Sequence, residues 1–572
     1  MRMFYRIKNK RYIFVDYFDT LVFRSVHSSQ VLPQWANVMS SHYKDVIKKS
    51  PVEWLEMRRN AKETIRNGLD EVNYHKVMAE LWKELNIHVD QQEFIETCLE
   101  MDIAVELGCQ YPNRRIVNLL RKAKDRGQKV ILVSDFYLPE SAYQNFFKSN
   151  GLDDLFDQIY ISEACQVSKK TGKLYQYVLE HLKVDPKDCV MLGDQKIDDQ
   201  LNAEKYGIFG IRYFPFRHKV YTNLSRIFHW DYSKQITSKL GNRLRHHSLF
   251  GEYALSLFFF EEHLVHELKR KNLNSVSFFA RGYLLKHFFE IYNHFYNEKV
   301  TQSHYCYISR KVVLDAEKNS ESYHLLKDYL EPFVKNGQLV FVDEGWYCHS
   351  QQKLAEIFHL TSRGYYLGIR GRDHIPEDDI CHRKGVLFDI GDDGMKPTKY
   401  YGILCTNCSL YEQMLTAPEG SVVGYERKNG NIIPILEYNE IERMAYRKHI
   451  LEWQHRLELT FRGLCAWLIG KKINEKQMAK VFLKADLFNS SSRCQFLNEM
   501  DKSMVDNCQN VKQVAKSMKD VHISILDLIL HPDMYLNQIC KIQRKIYKHP
   551  LLNTVYRCFA VGYKWYVKIF AK

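Results

Sequence analysis

Arg11-Tyr-Ile-Phe-Val-Asp-Tyr-Phe-Asp-Thr-Leu-Val-Phe-Arg24 opens with a short apolar run, Tyr12 to Val15, which predicts a buried strand. The run ends in Asp16, with Thr20 close behind. A carboxylate at the carboxyl end of a strand lies where open α/β sheets bind ligands. An Asp exposed there can attack phosphorus and form an aspartyl-phosphate. Alone, such an Asp is as readily a turn former or a helix cap.

Three later stretches change that balance. Lys129 to Val133 is apolar and ends at Ser134-Asp135. Lys169-Lys170 precedes Thr171-Gly172-Lys173-Leu174-Tyr175. Cys189 to Leu192 is followed by Gly193-Asp194 and then Asp198-Asp199. The chain therefore offers a nucleophile, a hydroxyl, a lysine and an acidic cluster, mostly at strand ends. Phosphoryl transfer uses these types: a carboxylate attacks, Mg²⁺ held by acids and a Lys neutralise the phosphoryl oxygens, and a hydroxyl orients them.

The order resembles the haloacid dehalogenase (HAD) superfamily over residues 10–215, with Asp16-Tyr-Phe-Asp-Thr-Leu21, Ser134, Lys169 and Gly193-Asp194…Asp199 as its four motifs. The resemblance implies Asp16 as nucleophile and Ser134 and Lys169 as phosphate ligands. It implies Mg²⁺ held by Asp16, the Phe18 carbonyl and Asp194, with Asp199 supporting the metal or the lysine. HAD phosphatases carry an acid/base Asp where this chain has Phe18; haloacid dehalogenases have an aromatic residue there and phosphonatases an Ala. Asp19, one place on, either takes over proton transfer or braces the loop.

The length of 572 residues allows about three or four domains. A net charge of +14 implies an anionic partner: phosphate substrates, nucleic acid or an acidic membrane surface. No nucleic-acid-binding motif supports the second of these. The N-terminus has no apolar signal core, and no apolar run is long enough to span a bilayer. The fourteen Cys are scattered, as in a reducing cytosol. Cys405 and Cys408 form an isolated C-x-x-C without a zinc-like second pair.

Residues 25–110 interrupt the core after the first motif, with helical spacing over Val52 to Asn67 and Tyr74 to Leu85. This resembles the helical cap of HAD proteins. Arg58-Arg59 and Lys62 read as a solvated helix face, with a phosphate site as the other reading. Asp135 reads as a helix cap or as a substrate contact. Residues 219–270 are mainly helical and basic, and His246-His247 reads as a connector or surface pair.

A second α/β unit starts near Asn274. Strands are expected over Ser275 to Phe279, Tyr305 to Ile308, Leu339 to Val342 and Gly364 to Ile369, alternating with helices, which predicts a parallel sheet. The expected strand ends carry Arg281-Gly282, Arg310 and Asp343-Glu344. A glycine turn admits a pyrophosphate, Arg310 adds charge-assisted hydrogen bonds, and paired acids accept from a ribose. The layout resembles a phosphoribosyltransferase that binds phosphoribosyl pyrophosphate (PRPP), with Cys348-His349 where that family has Thr-Gly, and Ser350 as a substitute phosphate ligand. A plain α/β unit with a polar loop is the alternative.

Phe279-Ala-Arg-Gly-Tyr-Leu-Leu285, Phe341-Val-Asp-Glu-Gly-Trp346 and Leu410-Tyr-Glu-Gln-Met-Leu-Thr-Ala-Pro-Glu-Gly-Ser421 make residues 10–430 similar to large HAD proteins of bacterial capsule and O-antigen assembly. That resemblance implies a bifunctional cytoplasmic enzyme. One part would transfer phosphoribose from PRPP to a lipid-linked glycan acceptor, and the other would remove the 5-phosphate to leave ribofuranose. The alternatives are a catalytically impaired scaffold for membrane glycosyltransferases and a single-activity HAD phosphohydrolase.

Residues 440–572 read as helical, including Ile441 to Trp467 and Val521 to Leu530. Lys541 to Lys572 contains no Asp or Glu. On one helix, Leu552, Tyr556, Phe559, Tyr563, Tyr566 and Phe570 share a face opposite Arg557, Lys564 and Lys568. That pattern suits a peripheral helix on the anionic inner face of the plasma membrane, or a terminal helix docked on its own domain. The expected organisation is an α/β HAD domain over residues 1–218 with a cap at about 25–110. A connector and a second α/β domain follow over 219–435, then a helical basic region over 436–572.

Overall fold

The computed structural model describes residues 6–240, 251–279, 282–298, 302–370, 380–390, 399–406, 408–438, 440–488, 491, 493–499 and 536–570. The expected helix over Val521 to Leu530, the pair His246-His247 and Arg281 lie outside these residues. The chain divides into two compact units. The first holds Met1–Lys239, Phe295–Asn297 and Arg462–Lys471; the second holds the remainder.

In the first unit, β1 (Tyr12–Val15), β2 (Lys129–Ser134), β3 (Gln158–Ile161), β4 (Cys189–Gly193) and β5 (Phe209–Arg212) form a sheet in the order β3-β2-β1-β4-β5. All four pairings are parallel, and Tyr12 lies between Lys129 and Cys189. Ile13, Phe14 and Val15 are wholly buried, as are Val130, Leu132 and most of β4. Such unbroken apolar runs belong to parallel strands covered on both faces. The strand order reverses between β1 and β4, so both strands deliver their carboxyl ends to one crevice.

The cap is entered through an antiparallel ribbon, Val22–Arg24 against Gln110–Pro112. It contains four helices: α1 (Val31–His42), α2 (Pro51–Arg66), α3 (Tyr74–Leu85) and α4 (Gln91–Cys109). Ser50 starts α2 with a reciprocal capping box to Glu53, and Pro51 occupies the first turn. Trp54 packs edge-on to Trp35 and stacks on Phe94 in the cap's interior.

The reading of Arg58 as part of a solvated face is corrected. Arg59 is exposed, but Arg58 is buried over the Trp35 ring, with its guanidinium 4.0 Å from the ring centroid. Its charge meets Asp102 at 2.9 Å, and Asp102 also accepts from Tyr74 and Tyr137. The helical period of α2 turns Arg58 onto the same face as Trp54 and Ala61, and the remote Asp102 makes that burial tolerable. Removing one partner of a buried pair strands the other. Asp102→Ala should therefore destabilise the first unit by about 3–5 kcal/mol, read by denaturant titration. A loss below about 1 kcal/mol would mean that water already solvates Arg58.

In the second unit, β6 (Ser275–Phe279), β7 (Gln302–Cys306), β8 (Gln338–Trp346), β9 (Thr361–Ile369) and β10 (Cys381–Phe388) pair in parallel in the order β10-β9-β8-β6-β7. The short strand Val334–Lys335 adds antiparallel to β8. Phe279 stacks on Phe341 at 4.2 Å in the core. A hairpin, Ser421–Lys428 with Asn431–Glu437, completes the β-structure among the described residues. The rest of the described residues in this unit is largely helical, including Gly251–Arg270, Glu475–Leu487, Leu536–Ile546 and Pro550–Phe570. Arg493 is buried there between Glu252 and Asp486.

β8 is longer than expected, so Asp343 and Glu344 lie inside the strand rather than beyond its end. Gly345, at φ 118, explains the extension: a Cβ there would collide with the Gly368 carbonyl of β9. Pairing continues through Gly345↔Gly368 and Trp346↔Ile369. Neighbouring strand residues point to opposite faces; Asp343 is half-buried and Glu344 is buried. The two acids do not form the side-by-side pair that was expected.

Candidate active site

Asp16 directly follows β1, and its N–H donates to the Leu192 carbonyl of β4 at 2.9 Å. That bond fixes the carboxylate at the switch point. The loop then doubles back: Leu21 and Val22 donate to the Tyr17 carbonyl, and Asp19 takes φ 57 while donating to Val22.

Lys169 Nζ lies 2.6 Å from Asp16 Oδ1 and 2.6 Å from Asp199 Oδ1. Its loop is held from three sides. The Asp135 carboxylate accepts from the Lys169 and Lys170 N–H groups, Asn202 donates to both their carbonyls, and Asp70 accepts from Ser168 and Thr171. Asp135 is thus neither a cap of its own helix nor turned outward; it braces the lysine loop. Ser134 is buried at the end of β2 and accepts from Tyr143 OH at 3.4 Å.

At the end of β4, Gln195 donates its N–H to Asp199 and its side-chain amide to Asp194. A Cβ at position 193 would overlap the Asp199 carboxylate, so the Gly193-Asp194 pair is a space requirement. The Asp194 carboxylate also meets Lys219 Nζ at 2.6 Å.

Asp16, Asp194 and Asp199 each offer a carboxylate oxygen, all within 4.8 Å of one another, and no other such group occurs among the described residues. Burial pushes the Asp16 carboxyl well above the usual range; Lys169 opposes this, and the Asp199 and Asp194 charges add to it. Burial likewise raises Asp194, against Lys219. Lys169 is held above its usual value because Asp16 and Asp199 outweigh its desolvation. Crowded oxygen donors whose charges repel fit a hard divalent cation such as Mg²⁺.

Residues 10–200 match the sequence profile of the haloacid dehalogenase-like hydrolases. They form a HAD-like domain. The sesquiterpene phosphatase astK of Aspergillus oryzae is 25% identical over 104 residues, 18% of this chain and 52% of that protein. The chain thus spans about half the length of that curated relative. A HAD phosphatase structure from Thermococcus onnurineus aligns with 35% of this chain and 83% of its own, at 20% identity and a TM-score of 0.24. A 2-haloacid dehalogenase from Pseudomonas syringae aligns with 36% of this chain and 86% of its own, at 16% identity and a TM-score of 0.29.

Position 18 of the HAD-like domain is filled by a ring. Phe18 packs 4.5 Å from Phe136, with the Arg24 guanidinium 3.6 Å from its centroid. Arg24 is held in turn by a two-pronged pair with Glu106. Asp19 is turned to His218 at 3.3 Å and to Lys219 at 3.7 Å. Burial alone would raise its pKa, but the His218 hydrogen bond and the charges around it bring it below the usual value. Asp19, Arg24, His27, Gln195, Lys219 and Asn223 are among the residues lining a polar cavity of about 210 Å³.

Sequence reading missed His218, Lys219 and Asn202. The only signal was the basic triplet Arg217-His218-Lys219, which opens the helix Phe216–Ile227 after the last strand of the sheet.

In the second unit, a Cβ at Gly282 would stand 3.5 Å from the Val342 carbonyl and 3.3 Å from Phe278. Gly282 therefore lies against Val342, the residue before Asp343, between β6 and β8, where the strand order of this sheet reverses. Arg310 is exposed at the first turn of the helix Arg310–Lys318 after the edge strand β7, one strand away. Ser350 lies in the first turn of the helix His349–Phe358 that follows β8.

Proposed function

We propose that the HAD-like domain is a Mg²⁺-dependent phosphatase acting on a sugar phosphate. We further propose that the second α/β domain binds PRPP and transfers phosphoribose to a lipid-linked glycan acceptor. The two steps together would leave ribofuranose on a bacterial surface polysaccharide, made at the cytoplasmic side of the membrane. The observation that carries the phosphatase is the bridge of Lys169 between Asp16 and Asp199, with Asp194 beside them.

An Asp16 carboxylate oxygen bonds to phosphorus, the ester P–O bond breaks, and the sugar oxygen takes up a proton from water. Water then attacks the aspartyl-phosphate, freeing phosphate and restoring Asp16. Asp16, Asp194 and the Phe18 carbonyl would hold Mg²⁺, with Asp199 behind them, and the bound ion supplies positive charge against the phosphoryl oxygens. Lys169 carries the second positive charge, and Ser134 donates to a phosphoryl oxygen. Asp19, kept ionised by His218 and Lys219, acts as a brace rather than a proton donor. The polar cavity accepts the hydroxyls of the sugar.

For the second domain, support comes from Gly282 lying against Val342, directly before Asp343, at the switch point. Asp343 alone would accept from the ribose, and Arg281, Arg310 and Ser350 would hold phosphates. Tethering the two sites raises the effective concentration of the phosphorylated intermediate.

A second reading is favoured by Phe18 with Arg24 packed on it, which closes the acid/base position. In that reading the domain is a retired HAD fold within a scaffold for glycosyltransferases. The deciding experiment is phosphate release with Mg²⁺ from ribose 5-phosphate, a glycoside of ribofuranose 5-phosphate, and PRPP. Release from the glycoside supports the two-site enzyme; silence across the panel with Mg²⁺ still bound supports the scaffold. Asp343→Asn should abolish PRPP-dependent transfer while phosphate release survives. Equal loss of both activities in a folded Asp343→Asn protein would exclude independent sites.

A further inference from the structure

The helix Pro550–Phe570 docks through one face and, among the described residues, leaves another exposed. Tyr556, Ala560 and Tyr563 are buried, and the helix packs on Glu475–Leu487 and Leu536–Ile546. Of the two readings of this helix, docking on its own domain describes Tyr556 and Tyr563, which are taken up by packing, while Leu552 and Phe559 of the same stripe stay exposed. The side chains of Tyr566 and Phe570 lie outside the description.

An apolar face that overlaps this stripe at Leu552 and Phe559 is exposed among the described residues. Leu551 is 84% exposed, Val555 68% and Trp565 62%, and Leu552, Phe559 and Val561 are exposed beside them. At about 100° per residue these six cover roughly half of the helix circumference. Isolated exposed apolar residues are ordinary, but a contiguous face of this width marks a contact surface.

Charge selects the occupant. Arg557 is exposed at one border of the apolar arc, with Lys564 half-buried next to it. Lys541, Lys545 and Lys548 are exposed on and just after the preceding helix, close to the start of this one. From Lys541 to Lys572 there is no Asp or Glu to offset them. A protein partner would need a matching apolar groove edged by acids. A bilayer with anionic headgroups supplies both features at once, with apolar side chains entering the acyl boundary and cations meeting phosphates. Trp565 suits that boundary, with an apolar body and a polar tip. No described helix is long and apolar enough to cross a membrane, so the contact lies in the plane of the surface.

We propose that the open face of Pro550–Phe570 is a docking surface for an anionic phospholipid bilayer. The inference goes beyond the phosphatase reading and does not depend on it.

The test is co-sedimentation of the full chain with phosphatidylcholine vesicles, with and without phosphatidylglycerol. Binding should rise at least about 10-fold with phosphatidylglycerol and fall as salt screens the cations. The double variant Val555→Glu/Phe559→Glu should lose it at least about 10-fold, because two charges replace apolar groups at the acyl boundary. Both positions are exposed, so the fold should survive, as an unchanged thermal midpoint would show. Lys545→Glu/Lys548→Glu should remove the phosphatidylglycerol dependence. Equal binding by wild type and Val555→Glu/Phe559→Glu would overturn the proposal. So would no binding to either vesicle, a dimer that the same variant dissociates, or duplex RNA that displaces the vesicles.

Discussion

Asp16→Asn is expected to cut phosphate release by at least about 10⁴-fold, because removal of a nucleophile leaves only the binding groups around it. The variant keeps the shape of the side chain and loses its charge. That charge is costly in the fold: burial and the nearby Asp199 and Asp194 hold the Asp16 carboxyl well above its usual range. Lys169 retains Asp199 as a partner at 2.6 Å. The fold thus penalises the charge at this position, so without metal the thermal midpoint of Asp16→Asn should match or exceed that of wild type. Activity and stability then move in opposite directions, which separates loss of the nucleophile from loss of the fold. Phosphate release against ribose 5-phosphate, with a melting curve of the same sample, reads both. Turnover within about 10-fold of wild type would place the nucleophile elsewhere. A collapse of both would make Asp16 structural.

Which parts of this site were legible follows from where their partners lie. Asp16, Ser134, Asp194 and Asp199 stand at or just beyond the ends of short apolar runs, and a parallel sheet gathers all such ends at one edge. Lys169 follows no strand directly, and only its place in the four-motif order marked it. Its loop is held by Asp135, Asn202 and Asp70, and Asp70 comes from the cap segment between α2 and α3. The clamp on Asp19 is nearly two hundred positions away, at His218 and Lys219. No local pattern records such a pairing. Arg58 misled for the same reason: its neighbours on α2 are charged, and only the remote Asp102 shows why it turns inward. β8 was cut short because acidic residues argue against a strand, while its continuation depends on Gly345 lying against Gly368. The C-terminal helix showed its amphipathic period clearly. Which of its apolar faces would be covered depended on packing against Glu475–Leu487 as well as against the preceding helix Leu536–Ile546.

The same geometry predicts a strong leaving-group dependence. Phe18 has no proton to give, and Asp19 is kept ionised by His218 and Lys219. The sugar oxygen must therefore depart with little help, and a positioned acid is worth about 10²–10⁴-fold. An aryl phosphate, whose leaving oxygen needs no proton, should exceed ribose 5-phosphate in kcat/KM by at least about 10²-fold. Hydrolysis of the aspartyl-phosphate lacks a base at the same position, so aryl phosphates should give a burst of phenol followed by slow turnover. Phe18→Asp tests the cause. The new carboxylate would sit where the ring now faces Arg24 at 3.6 Å, and Arg24 stays fixed by Glu106. An acid against that guanidinium remains ionised, which makes it a useful base and a poor acid. Phe18→Asp should therefore shrink the burst by speeding the second step, while the aryl-to-alkyl ratio stays large. A wild-type ratio below about 10-fold with no burst would mean that another group delivers the proton and that the ring at position 18 is not what limits this site.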